Sequence, residues 1–447
     1  MDKMATAMDV GQEEKQVGSP ISETNSASES TESPPEAPKY VPPNGGIRAW
    51  LCVLGGFCCQ FCSFGFLNAC GIFQLYYETD ILSNHTSSAI SWIVTIQIFL
   101  MFSLGPIVGV LVDILGPRKL IFPASILALF GIFMLSLCNK YWQIMLAQGI
   151  VYGIGAAATF LPPLIVVGQW FSTKRGLATG LVASGSSLGG IIFPIVVSRL
   201  IAQVGFASAL RWTGLLMACV LVIGNLCISG PIPPKGKSDR KLAGAKAFKS
   251  LAWILYSSGC FLMMWGLFAP INYLPLMALK AGASKMLSTY TISIANAASF
   301  FGRIIPGAIS DRVGQLNVMI SVAFLSGISI LAFWLPVYFH PTNAAIIAFG
   351  VVYGMASGGF VSLMSPCVVT LCDGKSEELG PKLGAFMFVI AIASLTGLPI
   401  SGAIKDASHN KSDFQGLICF SGVVMIVGGF LVSMARIRKG GMKMVKI

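Results

Sequence analysis

Charge is what this chain has least of. Only 11% of its 447 residues are charged, with 30 Lys plus Arg against 18 Asp plus Glu, and histidine occurs three times. Soluble globular chains carry about 25% charged residues, so composition excludes an ordinary water-facing fold. His85, His340 and His409 lie in loops far from any cysteine pair, and most of the twelve cysteines (Cys52, Cys58, Cys59, Cys62, Cys70, Cys219, Cys260, Cys419 among them) sit inside apolar runs. Cysteine placed there behaves as a small hydrophobe. Neither a metal site nor a disulfide framework is readable. A Gly-rich loop ending in Gly-Lys-Ser/Thr is missing, so ATP-driven work is unsupported and no cofactor is implied. The clustered His, Asp or Cys that a membrane enzyme needs at one face is missing too. So is a secretory leader, which requires a basic start and an apolar core.

What is present is apolar. The chain is 55% hydrophobic, contains 49 glycines and has a mean hydropathy of +0.76. The bilayer is its natural solvent, and glycine suits close helix packing there. The net charge of +12 is confined to short gaps between apolar runs. That pattern orients a membrane protein rather than binding phosphate, so nucleic acid is excluded as a partner.

Residues 1–43 are rich in Ser, Thr, Glu and Pro and hold no hydrophobic run, which predicts a disordered cytoplasmic tail. Apolar runs long enough to cross a hydrocarbon core of about 30 Å follow. They lie near 50–77, 88–112, 119–138, 142–169, 176–200 and 208–230, then near 250–279, 287–309, 316–337, 343–371, 381–404 and 414–436. The expected architecture is an all-α membrane protein of twelve transmembrane helices in two pseudo-symmetric six-helix bundles, 44–230 and 250–437. A basic cytoplasmic linker, 231–249, joins them and a short cytoplasmic tail, 438–447, ends the chain. With both termini inside, the inner loops carry Arg118, Lys119, Lys174, Arg175, the linker cations, Arg312, Lys375 and Lys382, and the outer loops carry fewer. The sequons at Asn84 and Asn410 fall in outer loops, as candidate glycosylation sites.

Two short stretches repeat: Gly109-Val-Leu-Val-Asp113-Ile-Leu-Gly116-Pro-Arg118-Lys119 and Gly307-Ala-Ile-Ser-Asp311-Arg312-Val-Gly314. Gly109 and Gly307, Asp113 and Asp311, and Gly116 and Gly314 are each separated by 198 residues. A fixed offset near half the length marks a duplicated unit. Tyr152-Gly153 likewise answers Tyr353-Gly354, and Pro194 answers Pro399. Duplication of this kind places a cavity between the halves at mid-membrane depth. The repeated turn is expected to be a cytoplasmic hinge, with Asp113 and Arg118, Asp311 and Arg312, and Lys174-Arg175 as candidate gate charges. Topology determinants alone would account for the cations but not for the repeated Asp.

Arg303 is the strongest single candidate. It precedes Asp311 by eight residues, about 12 Å along a helix, near the bilayer centre, where Arg costs about 2.5–3.5 kcal/mol on insertion scales. A cation kept there normally faces a wet cavity, as a docking point for an anionic substrate. The competing assignment is a contact to backbone carbonyls, or snorkelling to the inner surface. Asn68, Gln74, Gln97, Gln148, Tyr290 and Asn296 lie at similar depth, either as cavity walls or as helix–helix glue. Tyr76, Tyr77 and Trp92 are expected to be interfacial anchors.

The duplicated hinge resembles the loop signature of the major facilitator superfamily. Trp170-Phe-Ser-Thr-Lys174-Arg175-Gly-Leu177-Ala178-Thr-Gly180-Leu-Val-Ala-Ser-Gly185 is similar to the fifth-span signature of its monocarboxylate porter family. Asn44-Gly45-Gly46-Ile-Arg48-Ala-Trp50 looks like that family's opening signature in its fungal form, as do Phe64 to Asn68 and Gly71 to Glu78. The resemblance spans about 44–437. It implies alternating-access transport of small organic molecules, often monocarboxylates with a coupling proton, and Arg303 matches the family's substrate-binding arginine. Ser299 stands where the proton-coupled carriers have Asp, and Asn68 stands about where they have Lys. Lactate–proton symport is therefore disfavoured, and a larger or neutral substrate is favoured. The expected protein is a secondary transporter, not an enzyme, in the plasma membrane or, alternatively, the vacuolar membrane. It would move a small organic acid or organic metabolite, including as an exporter of a secondary metabolite. The alternatives are an importer of a vitamin or monocarboxylate and a non-transporting nutrient sensor on the same fold.

Overall fold

The computed structural model describes residues 41–233, 250–372, 379–407 and 414–441. The tail up to residue 40, linker residues 234–249, Lys375, the Asn410 sequon and the last six residues lie outside them. Among the described residues the structure is entirely helical. Eleven helices are long and apolar enough to cross a membrane, and a bent pair makes twelve. In chain order they are α1 (Ile47–Ile81), α2 (Ala89–Ser103 and Gly105–Leu115), α3 (Pro117–Leu135), α4 (Tyr141–Trp170), α5 (Arg175–Val204) and α6 (Phe206–Cys227). The second set is α7 (Leu251–Leu279), α8 (Tyr290–Val313), α9 (Gln315–Phe339), α10 (Asn343–Leu371), α11 (Leu379–Lys405) and α12 (Gln415–Gly440). The expected twelve-span architecture stands, with bounds moved by a few residues.

α4 and α9 contain π-helical stretches, Met145–Tyr152 and Ser329–Trp334, and α1 and α2 are broken. The run over 88–112 is bent by 45° at Leu104. Pro106 supplies no N–H to the turn before it, and Gly105 opens the second segment. α1 breaks at Ser63, where ψ is −82°, and again at Asn68–Ala69. The carbonyls freed at the first break are satisfied from α4: the Tyr152 hydroxyl donates to Cys62 O at 2.6 Å and to Ser63 O at 3.2 Å. Tyr353 of α10 makes the corresponding tie in the second half, donating to Leu267 O of the unbroken α7 at 2.7 Å. The paired tyrosines of the sequence are thus paired in role.

The repeated turns occupy one end of the bundle, here called the hinge end. Gly116 (φ 79°) and Gly314 (φ 108°) close α2 and α8 in the left-handed region, which only glycine enters without strain. Each is followed at once by the next span. Ties at this end also match between halves. Arg118, at the start of α3, donates to Leu226 O at 2.9 Å and Ile228 O at 3.3 Å, at the end of α6. Arg436, near the end of α12, donates to Asn317 Oδ1 at the start of α9, at 2.8 Å. The halves meet chiefly through α5 against α8 and α2 against α11.

Candidate functional site

At the hinge end the two halves are joined by helix termini. The Asp311 carboxylate, at the end of α8, accepts from Gly176 N at 2.7 Å and from Leu177 N at 2.9 Å, in the first turn of α5. Those N–H groups have no partner within their own helix, and they carry its partial positive charge. Arg175 donates its Nε–H to Phe171 O at 3.1 Å, and its charge acts on Asp311. The matching acid of the first half, Asp113, also stands close to a helix of the opposite half. Both carboxylate oxygens of Asp113 lie within 3.4 Å of where a Cβ on Gly380 would stand, in the first described turn of α11. Arg118 makes a contact within its own half: its Nε–H and Nη2–H donate to the end of α6. Lys174 and Arg312 are exposed at the rim.

From these termini the seams run inward on small residues. Gly176, Gly180, Ala183, Ser187 and Gly190 recur every three or four residues on α5 and form one stripe. The stripe lets the α8 backbone approach closely. A Cβ added at Gly176 would strike the Gly307 carbonyl and the Ser310 hydroxyl, and one at Gly180 would strike the Arg303 carbonyl. Gly109 against Gly380 and Gly105 against Gly384 repeat the contact between α2 and α11. In this register Gly105 is the first half's counterpart of Arg303, so the arginine breaks the two-fold symmetry.

Arg303 is 4% exposed. Its Nη1 donates to Ala183 O at 2.6 Å and to the Ser186 hydroxyl, both on α5 of the opposite half. The guanidinium carbon stands 6.0 Å from the centre of the Phe64 ring on α1. Nε is buried with no acceptor among the described residues, and no buried carboxylate occurs among them. Carbonyl contact therefore accounts for one edge of the guanidinium and leaves the Nε–Nη2 edge over. Ser186 and Phe64 were not singled out from sequence.

Beyond Arg303 the seam is polar and neutral. Ser187 Oγ donates to Ser299 Oγ at 3.3 Å. Asn296 reaches Gly190 O at 3.5 Å, and Asn68 Nδ2 lies 2.9 Å from a Cβ built on the same glycine. Asn296, Ser299 and Arg303 thus share one face of α8, and Asn68 of α1 joins them. Gln97 and Gln148 are brought together elsewhere, inside the first half. Gln148 Nε2 donates to Gln97 Oε1 at 3.2 Å, and the Tyr77 hydroxyl donates to Gln148 Oε1 at 2.6 Å. Both glutamines are fully buried, and Gln97 Nε2 has no partner among the described residues. Tyr77 is consequently not an interfacial anchor. Tyr77 continues the helical backbone of Cys70–Tyr76 and is fully buried, while Trp92 is exposed. Gln74 donates to Glu78 Oε1 at 3.0 Å. Tyr290, the first residue of α8, stands thirteen residues from Arg303, about 20 Å along the helix. Asn84 is exposed in the turn after α1.

The two sequence signatures form a single knot. Asn44, with φ 58°, accepts at Oδ1 from Ser172 N at 2.6 Å and Thr173 N at 2.9 Å, and its own N–H reaches Trp170 O at 3.0 Å. Trp50 packs on Phe171 with ring centres 5.1 Å apart, and Trp170 Nε1 donates to Ser229 O at 2.7 Å. The knot fixes the loop that delivers Gly176 and Leu177 to Asp311.

Comparison with known proteins agrees with this fold. Residues 53–374 match the Major Facilitator Superfamily. The MFS-type transporter hasB of Aspergillus fumigatus is 52% identical, covering 92% of this chain and 94% of its own. The fujikurins efflux protein of Gibberella fujikuroi is 40% identical, covering 88% of this chain and 83% of its own. Among solved structures, the human organic anion transporter MFSD10 (TETRAN) superposes with a TM-score of 0.65 at 14% identity, covering 86% of this chain and 99% of its own, a likeness of fold.

Proposed function

This chain belongs to the Major Facilitator Superfamily, and from that membership we propose that it exports an acidic organic metabolite across the plasma membrane by alternating access. The observation that carries the reading is Arg303: a buried cation on the seam between the halves, with one donor edge unused and no acid beside it among the described residues. A cation kept at that depth is stabilised by an anion that visits it. Relatives named as efflux proteins support the direction. Placement in the monocarboxylate porter branch rests on the two signatures that meet in the knot at Asn44.

The cations at the hinge end, Arg118, Lys119, Lys174, Arg175 and Arg312, favour a cytoplasmic face there, with both termini inside. Asp311 on α5 and Asp113 on α11 then act as paired inner latches, holding the halves together on the cytoplasmic side. Asn68, Ser299 and Asn296 line the path outward from Arg303 and supply neutral hydrogen-bonding groups. Among the described residues no carboxylate is buried beside the arginine, so the only acid on this seam is Asp311 at the hinge end.

Metabolite profiling of cells with and without the protein tests the reading. An acidic compound is expected to accumulate in the medium in its presence. Arg303→Gln should abolish that accumulation while surface expression is kept. Unchanged export by the variant would remove Arg303 as the anion site.

A further inference from the structure

The two halves face the seam with different chemistry at the depth of Arg303. The second half offers the guanidinium, and the first offers rings. Phe64 of α1, Phe102 of α2 and Phe160 of α4 form a closed cluster. Phe64 stands 6.2 Å from Phe102 and 6.0 Å from Phe160, and Phe102 meets Phe160 edge-on at 5.4 Å. Phe102 lies three residues before Gly105, the counterpart of Arg303, which puts the cluster at the arginine's depth. Phe64 carries the guanidinium near its ring, so the aromatic and cationic parts already touch across the seam.

We propose that Arg303 and the Phe64–Phe102–Phe160 cluster form one two-part subsite for an organic anion whose acidic group is attached directly to a flat conjugated ring. The inference rests on the reading of Arg303 as the anion site and names the class of anion. When the halves part, the contact between guanidinium and Phe64 opens. An aromatic acid can then satisfy both sides at once. Its carboxylate takes the unused Nε–Nη2 edge in two parallel hydrogen bonds, the geometry for which guanidinium is suited. Its ring replaces the guanidinium against Phe64, where aromatic contacts add to simple burial. A saturated acid of equal size fills the same volume without the ring–ring contact.

The probes are 2-naphthoate and its saturated counterpart, decahydro-2-naphthoate, titrated calorimetrically into the purified full-length protein. Wild type should bind the naphthoate roughly tenfold more tightly, the preference expected from added aromatic contact. Phe64→Leu and Phe102→Leu, which keep apolar bulk, should each reduce that ratio towards one while binding of the saturated acid persists. Arg303→Gln should abolish binding of both. Equal wild-type affinities with both lost in Arg303→Gln would overturn the aromatic assignment and leave the anion site standing. Binding of both acids unaffected by Arg303→Gln would overturn the reading beneath it. Failure of wild type to bind either acid would also overturn the proposal. Monodisperse elution of each variant guards against misfolding as the cause of a loss.

Discussion

At the scale of single residues, charge decides. Asp311 accepts from two helix-terminal N–H groups of the opposite half, and a carboxylate so placed stabilises by about 1–2 kcal/mol in partly buried geometry. Asp311→Asn keeps the shape and removes the charge. It is expected to weaken closure at the hinge end by roughly five- to thirtyfold. Distance measurements between spin labels at exposed hinge-end positions such as Lys174 and Arg312 should show a larger population with those positions apart. An unshifted distribution would show that the latch carries no closing energy. Tyr152 tests a different residue-scale claim. Its hydroxyl is committed to the carbonyls freed where α1 breaks, so Tyr152→Phe should destabilise the folded protein by about 1–3 kcal/mol, the cost of leaving buried acceptors unpaired. Thermal unfolding in detergent would reveal it as a lowered midpoint.

Among the elements, the seams depend on glycine. Gly109 and Gly380 meet backbone to backbone, and a side chain at Gly109 would run into the Gly380 carbonyl. Gly109→Val should therefore wedge α2 from α11, at the cost of about 1–3 kcal/mol usual for overpacking, and bias the protein towards opening at the hinge end. Gly71→Ala is the matched control, since nothing lies within 4 Å of its new Cβ. A substituted-cysteine label at the hinge end should react faster in Gly109→Val and at the parental rate in Gly71→Ala. Much of this architecture was legible beforehand. The 198-residue offset located both hinges, and run lengths located the spans, because hydrophobic length and turn glycines are local properties of the chain. What sequence did not disclose were the partners. Arg118 was grouped with Asp113 by proximity in the chain, but the fold delivers it to the end of α6. Tyr77 was read from its position near a span end, yet its ring lies inside the first half with its hydroxyl on Gln148. Gln97 and Gln148 were left between cavity wall and helix–helix glue, and the fold shows them hydrogen-bonded to each other where three helices of one half converge. Such contacts depend on helix rotation, which apolar composition alone leaves undetermined when nearly every face of a span is hydrophobic.

For the molecule as a whole, the central claim is that the α5–α8 seam parts and re-forms in each cycle. Ser187 and Ser299 provide the handle, since their hydroxyl oxygens lie 3.3 Å apart across the seam between Arg303 and the Asn68–Asn296 pair. Replacing both with cysteine puts two thiols where little movement is needed to bring the sulfurs into bonding range, whereas either substitution alone adds no bridge. Mild oxidation of the Ser187→Cys/Ser299→Cys protein should stop export, and a reductant should restore it. The wild type carries twelve cysteines, so it must pass through the same oxidation and keep its activity. Each single variant must do so as well. A rigid pore would keep conducting with the seam stapled at this depth, because its path would not require the halves to separate. A carrier must stop, because the bridge prevents the one motion that exposes Arg303 to each side in turn. Full export by the oxidised, demonstrably bridged protein would therefore refute alternating access through this seam, whatever the substrate proves to be.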